Sequence, residues 1–197
     1  GDKIVGMRVV PLVIVEEKMN RAEEICGGKP IFRLLPFQKM RAGIVTTGNE
    51  VLSGRIKDQF TPVVVSKLEE AGMEVMGNVL AGDDTEKVTG AIREWLDKGA
   101  EMVVCTGGMS VDPDDRTPLA IRNASDTVVT YGAPVLPGAM FMLAYAGKVP
   151  VVGLPGCVMY ARRTIFDLVL PRLAAGERLQ AEDFTGMGEG GLCLNCE

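Results

Sequence analysis

The sequence predicts an α/β fold with a mostly parallel central sheet. From Ala42 onward, short apolar runs alternate with amphipathic segments, which is the pattern of successive β-α-β units. Glycine-rich or acidic turns stand directly beside several of the apolar runs, and ligands of open α/β sheets bind at such strand ends. A chain of 197 residues, 47% of them hydrophobic, is long enough for one well-packed core and a small appendage.

Residues 1–40 are predicted to be an N-terminal extension that carries no motif. Within it, residues 7–15 are apolar enough for a strand. Residues 16–25 predict a short helix, and Gly27-Gly28 is expected to end it.

The first β-α-β unit follows this extension. Residues 43–47 predict a strand, and Thr61 is expected to cap a helix that has Pro62 in its first position. Gly72 stands just beyond the last turn of this helix, and residues 73–80 predict the next strand.

The next helix is predicted from its capping residues. Asp83 and Glu86 form a capping-box pattern, and apolar residues follow at helical spacing as far as Gly99. Residues 101–105 predict the strand after it.

The second half of the pattern begins after an Asp-rich loop, with a short helix expected over 118–124. The strands that follow are expected at 127–131, 141–145 and 149–154. Pro155-Gly156 is expected to open a helix over 157–170 that Pro171 ends or kinks. Glycine and acidic residues dominate from Ala174 on, so little fixed structure is expected there.

Composition excludes several classes of partner. The 26 acidic and 21 basic side chains give a net charge of −5, and no stretch clusters basic with aromatic residues as nucleic-acid binders do. No apolar run approaches the length of a membrane helix, and no leader pattern is present. We therefore expect a cytoplasmic protein that binds neither nucleic acid nor membrane.

The chain contains no histidine. The commonest general base at neutral pH, the commonest zinc ligand and every Ser-His or Cys-His nucleophile are therefore excluded. Any chemistry must rely on carboxylates, metal ions or bound phosphates.

Of the five cysteines, Cys193 and Cys196 alone have metal-ligand or redox spacing. One such pair is half of a metal site, and its alternative is two free thiols in a frayed tail. Because the chain starts at Gly1 rather than Met and the pair lies beside its end, we expect it to be part of a longer polypeptide.

The loop over residues 106–118 follows an apolar strand and combines two chemistries. Gly107 and Gly108 leave the backbone N–H groups open to an anionic ligand, although the pair also suits a plain tight turn. Asp112, Asp114 and Asp115 supply oxygens suited to Mg²⁺, but the first two also suit a solvated turn. The loop is interpreted as an anion cradle beside a metal site.

Five motifs resemble, in order and spacing, the molybdopterin-binding domain that molybdopterin adenylyltransferases, molybdopterin molybdotransferases and gephyrin share. The motifs are Thr-Thr-Gly-Asn-Glu at 46–50, Gly-Asp-Asp at 82–84, the loop at 106–118, Pro-Gly at 137–138 and Leu-Pro-Gly at 154–156. The resemblance implies a three-layer α/β/α domain over 41–175, with the extension before it and a poorly ordered tail over 176–197.

The resemblance also implies a site and its ligands. Asp83, Asp115 and Glu50 are the implied catalytic carboxylates, and the first two are also the implied metal ligands. The residues implied to bind the cofactor are Thr47, Gly48, Asn49, Thr106, Gly107, Gly108, Met109, Ser110, Pro137, Gly138, Pro155 and Gly156. The implied protein is a dimeric or trimeric transferase that binds molybdopterin or molybdenum cofactor with Mg²⁺, and ATP or molybdate according to the branch.

Some of these residues have a simpler interpretation. Asp83 suits a helix N-cap, Glu50 suits the surface, and Pro155-Gly156 suits a helix start, although a helix N-terminus is itself an anion site.

The sequence also departs from the family pattern. Leu136 and Ala139 stand where molybdotransferases carry lysines that hold the ligand phosphate. The cations that could replace these lysines are Arg55, Arg116 and Arg162. Met109-Ser110 places the loop closer to the molybdotransferases than to the adenylyltransferases, and Cys157 follows Leu-Pro-Gly where the family carries a better hydrogen-bonding residue.

Two other functions therefore stay open. One is a non-catalytic module that holds molybdopterin as a sensor or carrier. The other is a nucleotide pyrophosphatase like the competence-damage-inducible domain, which the stretch at 49–56 resembles.

Overall fold

The computed structural model describes residues 6, 12–27, 32–110, 112 and 114–188. The chain divides into two compact units, residues 1–35 and 36–197. In the first unit, helix α1 (Glu16–Cys26) ends as expected at Gly27, whose left-handed backbone lets its N–H donate to the Glu23 carbonyl at 2.9 Å. Residues 12–15 form no strand, and residues 7–11 of the strand predicted there lie outside the described residues.

The second unit is built on a six-stranded sheet. Its strands are β1 (Arg41–Thr47), β2 (Glu74–Ala81), β3 (Met102–Thr106), β4 (Thr127–Tyr131), β5 (Met142–Ala146) and β6 (Val149–Leu154). Their spatial order is β2-β1-β3-β6-β5-β4. The first four strands in this order are parallel, whereas β5 runs antiparallel to both of its neighbours. The prediction of a mostly parallel sheet is confirmed.

Helices cover both faces of this sheet. They are α2 (Asn49–Leu52), α3 (Phe60–Glu70), α4 (Thr85–Asp97), α5 (Thr117–Ala124), α6 (Ile165–Ala174) and α7 (Ala181–Thr185), with 3₁₀ turns at Gly156–Met159 and Gly186–Gly188. Successive side chains of a strand point to opposite faces, so Ile44 packs with α3, α6 and α7 while Val45 packs with α4 and α5. The sheet is therefore the middle layer of a three-layer α/β/α domain.

Trp95 fixes helix α4 against the middle of the sheet. Its indole N–H donates to the buried carbonyl of Ile44 at 2.9 Å, and its ring covers Gly43 so closely that a Cβ there would overlap it. A glycine in the strand is thus required by the approach of the indole ring.

The caps of two helices differ from the predicted ones. Thr61 lies inside α3, and the carboxylate of Asp58 accepts the N–H groups of Phe60 at 2.9 Å and Thr61 at 3.0 Å. At α4 the cap is Asp84, which accepts the Lys87 N–H at 2.9 Å. The capping role predicted for Asp83 is therefore wrong, because α4 begins one residue later than expected.

The single helix predicted over 157–170 is also wrong. The chain instead forms the 3₁₀ turn at Gly156–Met159, and α6 begins only after Thr164, which forms a capping box with Asp167. Pro171 lies inside α6 rather than ending it, and Leu173 in the last turn is buried.

Little fixed structure was predicted from Ala174 on, but the structure has a helix and a 3₁₀ turn in this region, which is described as far as residue 188. Phe184 of α7 is buried and stacks on Phe141 with ring centroids 5.8 Å apart. Arg172 of α6 binds Glu177 at 2.7 Å and Asp183 at 2.8 Å. Cys193 and Cys196 lie outside the described residues. No helix in the described part of the chain is long and apolar enough to cross a membrane.

Candidate functional site

The loops predicted to bind a ligand leave the same edge of the sheet. Because β1, β2, β3 and β6 are parallel and in register, their last residues are neighbours: Thr47 pairs with Ala81, Thr46 with Thr106, and Thr106 with Leu154. We call this boundary the carboxyl edge. The four loops that follow these strands therefore begin side by side.

Asp83 links the loop after β2 to the loop after β1. One oxygen of its carboxylate accepts the Asn49 N–H at 3.0 Å, and the Asp83 N–H donates to the Asn49 side-chain oxygen at 3.4 Å. A Cβ at Gly82 would lie 2.7 Å from that same oxygen, so glycine leaves room for the link. The second carboxylate oxygen of Asp83 accepts no hydrogen bond from the described residues, and the side chain is exposed.

Glu50 lies in α2, next to this link, and is exposed. Its backbone carbonyl accepts the N–H groups of Arg55 at 2.9 Å and Ile56 at 3.2 Å, which closes the turn after α2. The structure therefore brings Glu50 to the predicted site region with its carboxylate facing solvent.

Gly107 and Gly108 are explained by contacts within the protein. Both have left-handed backbones, with φ of 82° and 52°. A Cβ at Gly107 would overlap the carbonyl oxygen of Thr47, and one at Gly108 would lie 2.9 Å from the Thr117 hydroxyl. Thr47 and Thr117 are themselves joined by a buried hydroxyl–hydroxyl bond of 3.1 Å. The glycine turn thus packs between the end of β1 and the start of α5.

Asp115 holds the next part of this loop. One of its carboxylate oxygens accepts the Ser110 N–H at 2.5 Å, and no described residue donates to the other oxygen. Asp112 accepts the Asp114 N–H at 3.0 Å within the turn, and the Asp114 side chain is 95% exposed. Asp115 is therefore half-buried, whereas Asp112 forms part of the turn and Asp114 lies exposed on it.

Three predicted ligand residues turn their side chains into the protein. Met109 is buried against Gly153 and Ile121, on the sheet face that α4 and α5 cover. Thr47 and Thr106 are also buried, and their hydroxyl groups bind other threonines. Any contact of these three residues with a ligand is therefore left to their backbones.

The Pro137-Gly138 turn packs on the start of α6. The Pro137 carbonyl accepts the Ile165 N–H at 3.1 Å, and a Cβ at Gly138 would lie 2.5 Å from the Ile165 side chain. The peptide bond before Pro137 is cis, and the neighbouring Leu136 side chain is 76% exposed.

The Pro155-Gly156 motif opens a 3₁₀ turn of four residues rather than a long helix, so the anion site expected at a helix N-terminus is absent from it. A Cβ at Gly156 would meet only open space. Beside this turn, a groove of about 690 Å³ is lined by residues of α3 and by residues 158–163. Arg162 lines that groove, and Lys67 is paired there with Asp167.

Two features of the carboxyl edge escaped prediction. Tyr131, at the end of β4, donates its hydroxyl hydrogen to the Ser110 carbonyl at 3.3 Å. Burial and, to a smaller extent, the negative charge of Asp115 raise the pKa of Tyr131 above its ordinary value. Tyr131 pairs with Met142 of β5, which pairs with Gly153 near the end of β6. The position of Tyr131 at the carboxyl edge therefore follows from strand pairing and not from its local sequence.

The second feature is a polar network beneath the edge. The Thr106 hydroxyl donates to that of Thr46 at 3.2 Å, and Thr46 contacts the Thr61 hydroxyl at 3.1 Å. Asn78 donates to Thr61 at 2.7 Å and to the Asp58 carboxylate at 3.3 Å. The network ties three strands to the start of α3. One sequence signal for this network was available: Asp58 precedes Thr61 by three residues, which is the spacing of a side chain that caps a helix start.

Comparison with known proteins assigns the family. Residues 43–175, more than half of the chain, match the family described as probable molybdopterin binding domain. The chain belongs to this family. The molybdopterin-binding domain begins inside β1 and ends directly after α6, so it contains every motif of the carboxyl edge.

Solved structures support the fold of this domain. The molybdopterin biosynthesis enzyme MoaB from Thermus thermophilus is 25% identical with a TM-score of 0.61, over 70% of this chain and 98% of that chain. CinA from Thermoplasma acidophilum, described as of unknown function, is 20% identical with a TM-score of 0.51, over 60% of this chain and 89% of that chain. The second similarity shows the fold alone.

A curated relative matches a shorter stretch. The CinA-like protein of Mycobacterium avium (strain 104) is 38% identical over 77 residues, which are 39% of this chain and 18% of that protein. The match therefore spans less than a fifth of the relative's length. Together these similarities support a role related to molybdenum-cofactor biosynthesis or a CinA-like role.

The packing of the glycine turn leads to a stability prediction for the molybdopterin-binding domain. Gly107→Ala should lower the free energy of unfolding by about 1–3 kcal/mol or more, because alanine is strained at this φ and its Cβ overlaps the Thr47 carbonyl. Gly90→Ala is the matched control: Gly90 is exposed inside α4 with open space at its Cβ, so this change should raise stability by about 0.5–1 kcal/mol. Urea unfolding followed by circular dichroism measures both. Equal stability of Gly107→Ala and wild type would contradict the packing described.

Proposed function

We propose that this domain binds the phosphate-bearing pterin dithiolene of molybdopterin, or the finished cofactor, at the carboxyl edge and serves a transfer step of cofactor biosynthesis. The observation that carries the proposal is that β2, β1 and β3 are adjacent and parallel, so Asp83 after β2 and the glycine turn with Asp115 after β3 both follow the carboxyl edge, and Asp83 is bonded there to Asn49 after β1. Ligands of open α/β folds bind at that end of the sheet.

The two carboxylates are suited to charge stabilisation rather than to proton transfer. Each uses one oxygen to accept a backbone N–H, which fixes its direction, and no described residue donates to the other oxygen. Positioned charge of this kind is what phosphoryl transfer requires, and a chain without histidine offers no imidazole base.

Mg²⁺ fits this pair of side chains. It prefers oxygen ligands, and protein sites commonly hold it by one or two carboxylates together with substrate phosphates and waters. Among the described residues, no group of three or more histidine, cysteine or acidic side chains is placed to hold a metal ion by itself. Asp83 and Asp115 would hold the ion, and Mg²⁺ would neutralise phosphate or molybdate charge.

The remaining assignments belong to the same proposal. Glu50, exposed beside Asp83, is the third carboxylate, and the Pro137-Gly138 and Pro155-Gly156 turns border the ligand. ATP or molybdate is the second ligand, according to the branch. We also propose a cytoplasmic dimer or trimer, with residues 1–40 and 176–197 flanking the binding domain.

A CinA-like nucleotide pyrophosphatase is the second candidate. The 38% identity with the CinA-like protein of Mycobacterium avium favours it. One experiment separates the candidates: the purified protein is mixed with molybdopterin, and pterin fluorescence is followed, while ADP-ribose hydrolysis is assayed with Mg²⁺. Fluorescence quenching without hydrolysis supports our proposal. Mg²⁺-dependent hydrolysis without pterin binding would favour the pyrophosphatase.

A non-catalytic binding module is the third candidate, and the neutral Leu136 and Ala139 favour it. It would bind molybdopterin but transfer neither an adenylyl group nor molybdate. Incubation of the bound complex with Mg²⁺ and ATP, or with molybdate, therefore separates it from the transferase.

Asp115 should act on metal binding more than on stability. Asp115→Asn keeps an oxygen that can accept the Ser110 N–H but removes the charge. The affinity of the protein for Mg²⁺ should therefore fall by about tenfold or more. Melting temperature should stay within a few degrees of wild type. Isothermal titration with Mg²⁺ and a thermal melt measure the two effects.

The matched control is Asp114→Asn, which removes the same charge from a side chain that is 95% exposed. It should change neither quantity. If Asp115→Asn lowers melting temperature and Mg²⁺ affinity together, Asp115 is a structural residue.

The neutral Pro137-Gly138 turn predicts weak phosphate binding. Leu136→Lys with Ala139→Lys should raise molybdopterin affinity by about 10- to 100-fold, more at low salt than at high salt, because two charge-assisted contacts become available. Leu136 is 76% exposed, so a lysine there leaves the core intact. Fluorescence titration at two ionic strengths measures the change.

The control places glutamine at both positions, which adds polar length without charge. An equal gain from glutamine and lysine would contradict the charge argument. No gain from lysine, with an unchanged thermal melt, would mean that the ligand phosphate lies elsewhere.

A further inference from the structure

We infer that Tyr131 is a positioning residue of the carboxyl-edge site: its hydroxyl group sets the orientation of the Ser110 peptide and, through it, the metal-binding orientation of Asp115. This inference rests on the proposed function for its ligand. The geometry of the Ser110 contacts does not depend on that function.

Two different elements hold the Ser110 residue. Asp115, from the end of the loop, accepts the Ser110 N–H at 2.5 Å. Tyr131, from the end of β4, donates to the Ser110 carbonyl at 3.3 Å. The N–H and the C=O of one exposed residue are therefore both bound to side chains at the edge of the sheet.

Other contacts fix the rest of the loop. The buried side chain of Met109 anchors it on one side, and the contact of Gly108 with Thr117 anchors it closer to the strand. Ser110 is the first exposed residue after these anchors, and residues 111 and 113 lie outside the described residues. The hydrogen bond from Tyr131 therefore holds the first residue of the loop that is not fixed by buried contacts.

The chemical state of Tyr131 suits this role. The residue is 43% exposed, so it contributes little to core packing. A tyrosine hydroxyl is protonated at neutral pH, so Tyr131 can donate to the Ser110 carbonyl. Phenylalanine has no hydroxyl group and cannot donate to the Ser110 carbonyl. The carbonyl would then bind water, and the orientation of the Ser110 peptide would no longer be fixed from β4.

The expected effect of Tyr131→Phe is a loss of Mg²⁺-dependent molybdopterin affinity of about 2- to 10-fold, the range that loss of one neutral hydrogen bond produces. Mg²⁺-free binding should not change. Tyr160→Phe is the matched control, because Tyr160 is 79% exposed and lies beside the groove at α3 rather than at Ser110. It should leave both affinities unchanged.

A double-mutant cycle separates positioning from a general structural role. If Tyr131 acts through Asp115, then Tyr131→Phe should have no effect on affinity in the Asp115→Asn background, whereas independent effects would add. Additive losses, or a fall in Mg²⁺-free affinity equal to that with Mg²⁺, would overturn the inference.

A ligand-free measurement distinguishes failure of this inference from failure of the proposed function. Amide exchange at Ser110, followed by NMR in the free protein, should be several-fold faster in Tyr131→Phe than in wild type. Faster exchange in a protein that binds no molybdopterin would overturn the proposed function and leave the positioning intact. Unchanged exchange would overturn the positioning role.

Discussion

The carboxyl edge depends on how closely the turn after β3 approaches the end of β1. Gly107 has no side chain, and the carbonyl oxygen of Thr47 occupies the space that a Cβ would need. Gly108 follows with a second left-handed backbone against the Thr117 hydroxyl, so α5 begins directly beside the turn. The chain thereby passes from the buried end of β3 through the two glycines and buried Met109 to exposed Ser110, whose N–H is bound by Asp115.

The same edge orients two carboxylates, exposed Asp83 and half-buried Asp115, with backbone N–H groups rather than with a cation among the described residues. Asp83 accepts a backbone N–H from the segment after β1 and Asp115 accepts one from its own loop, and both bonds orient the charge without neutralising it. Beneath them, the hydroxyl groups of Thr46 and Thr106 and the side chain of Asn78 satisfy one another, so the strand ends are tied together. The strand ends are thus held in place, and Asp83 and Asp115 each keep one oxygen to which no described residue donates. Side chains held in this way suit the metal ion that we propose the protein shares with its ligand.

Local sequence signals predicted the strands of the sheet and the loops that end them, because apolar runs and turn residues act over a few positions. They assigned the cap of α4 to Asp83, whereas the structure places the cap at Asp84 and pairs Asp83 with Asn49. Tyr131 escaped prediction because its bond to Ser110 joins residues that are far apart in sequence. Phe184 was missed for a similar reason, since its burial depends on Phe141 rather than on its polar neighbours.

The most direct test of the proposed site is a crystal structure of the protein with molybdopterin and Mn²⁺ as an anomalous substitute for Mg²⁺. Our account predicts molybdopterin at the carboxyl edge, over the turn at residues 107–110, with the Mn²⁺ signal bound by Asp83 and Asp115. Ligand density in the groove between α3 and the 3₁₀ turn at Gly156–Met159, with no Mn²⁺ at the two carboxylates, would contradict it.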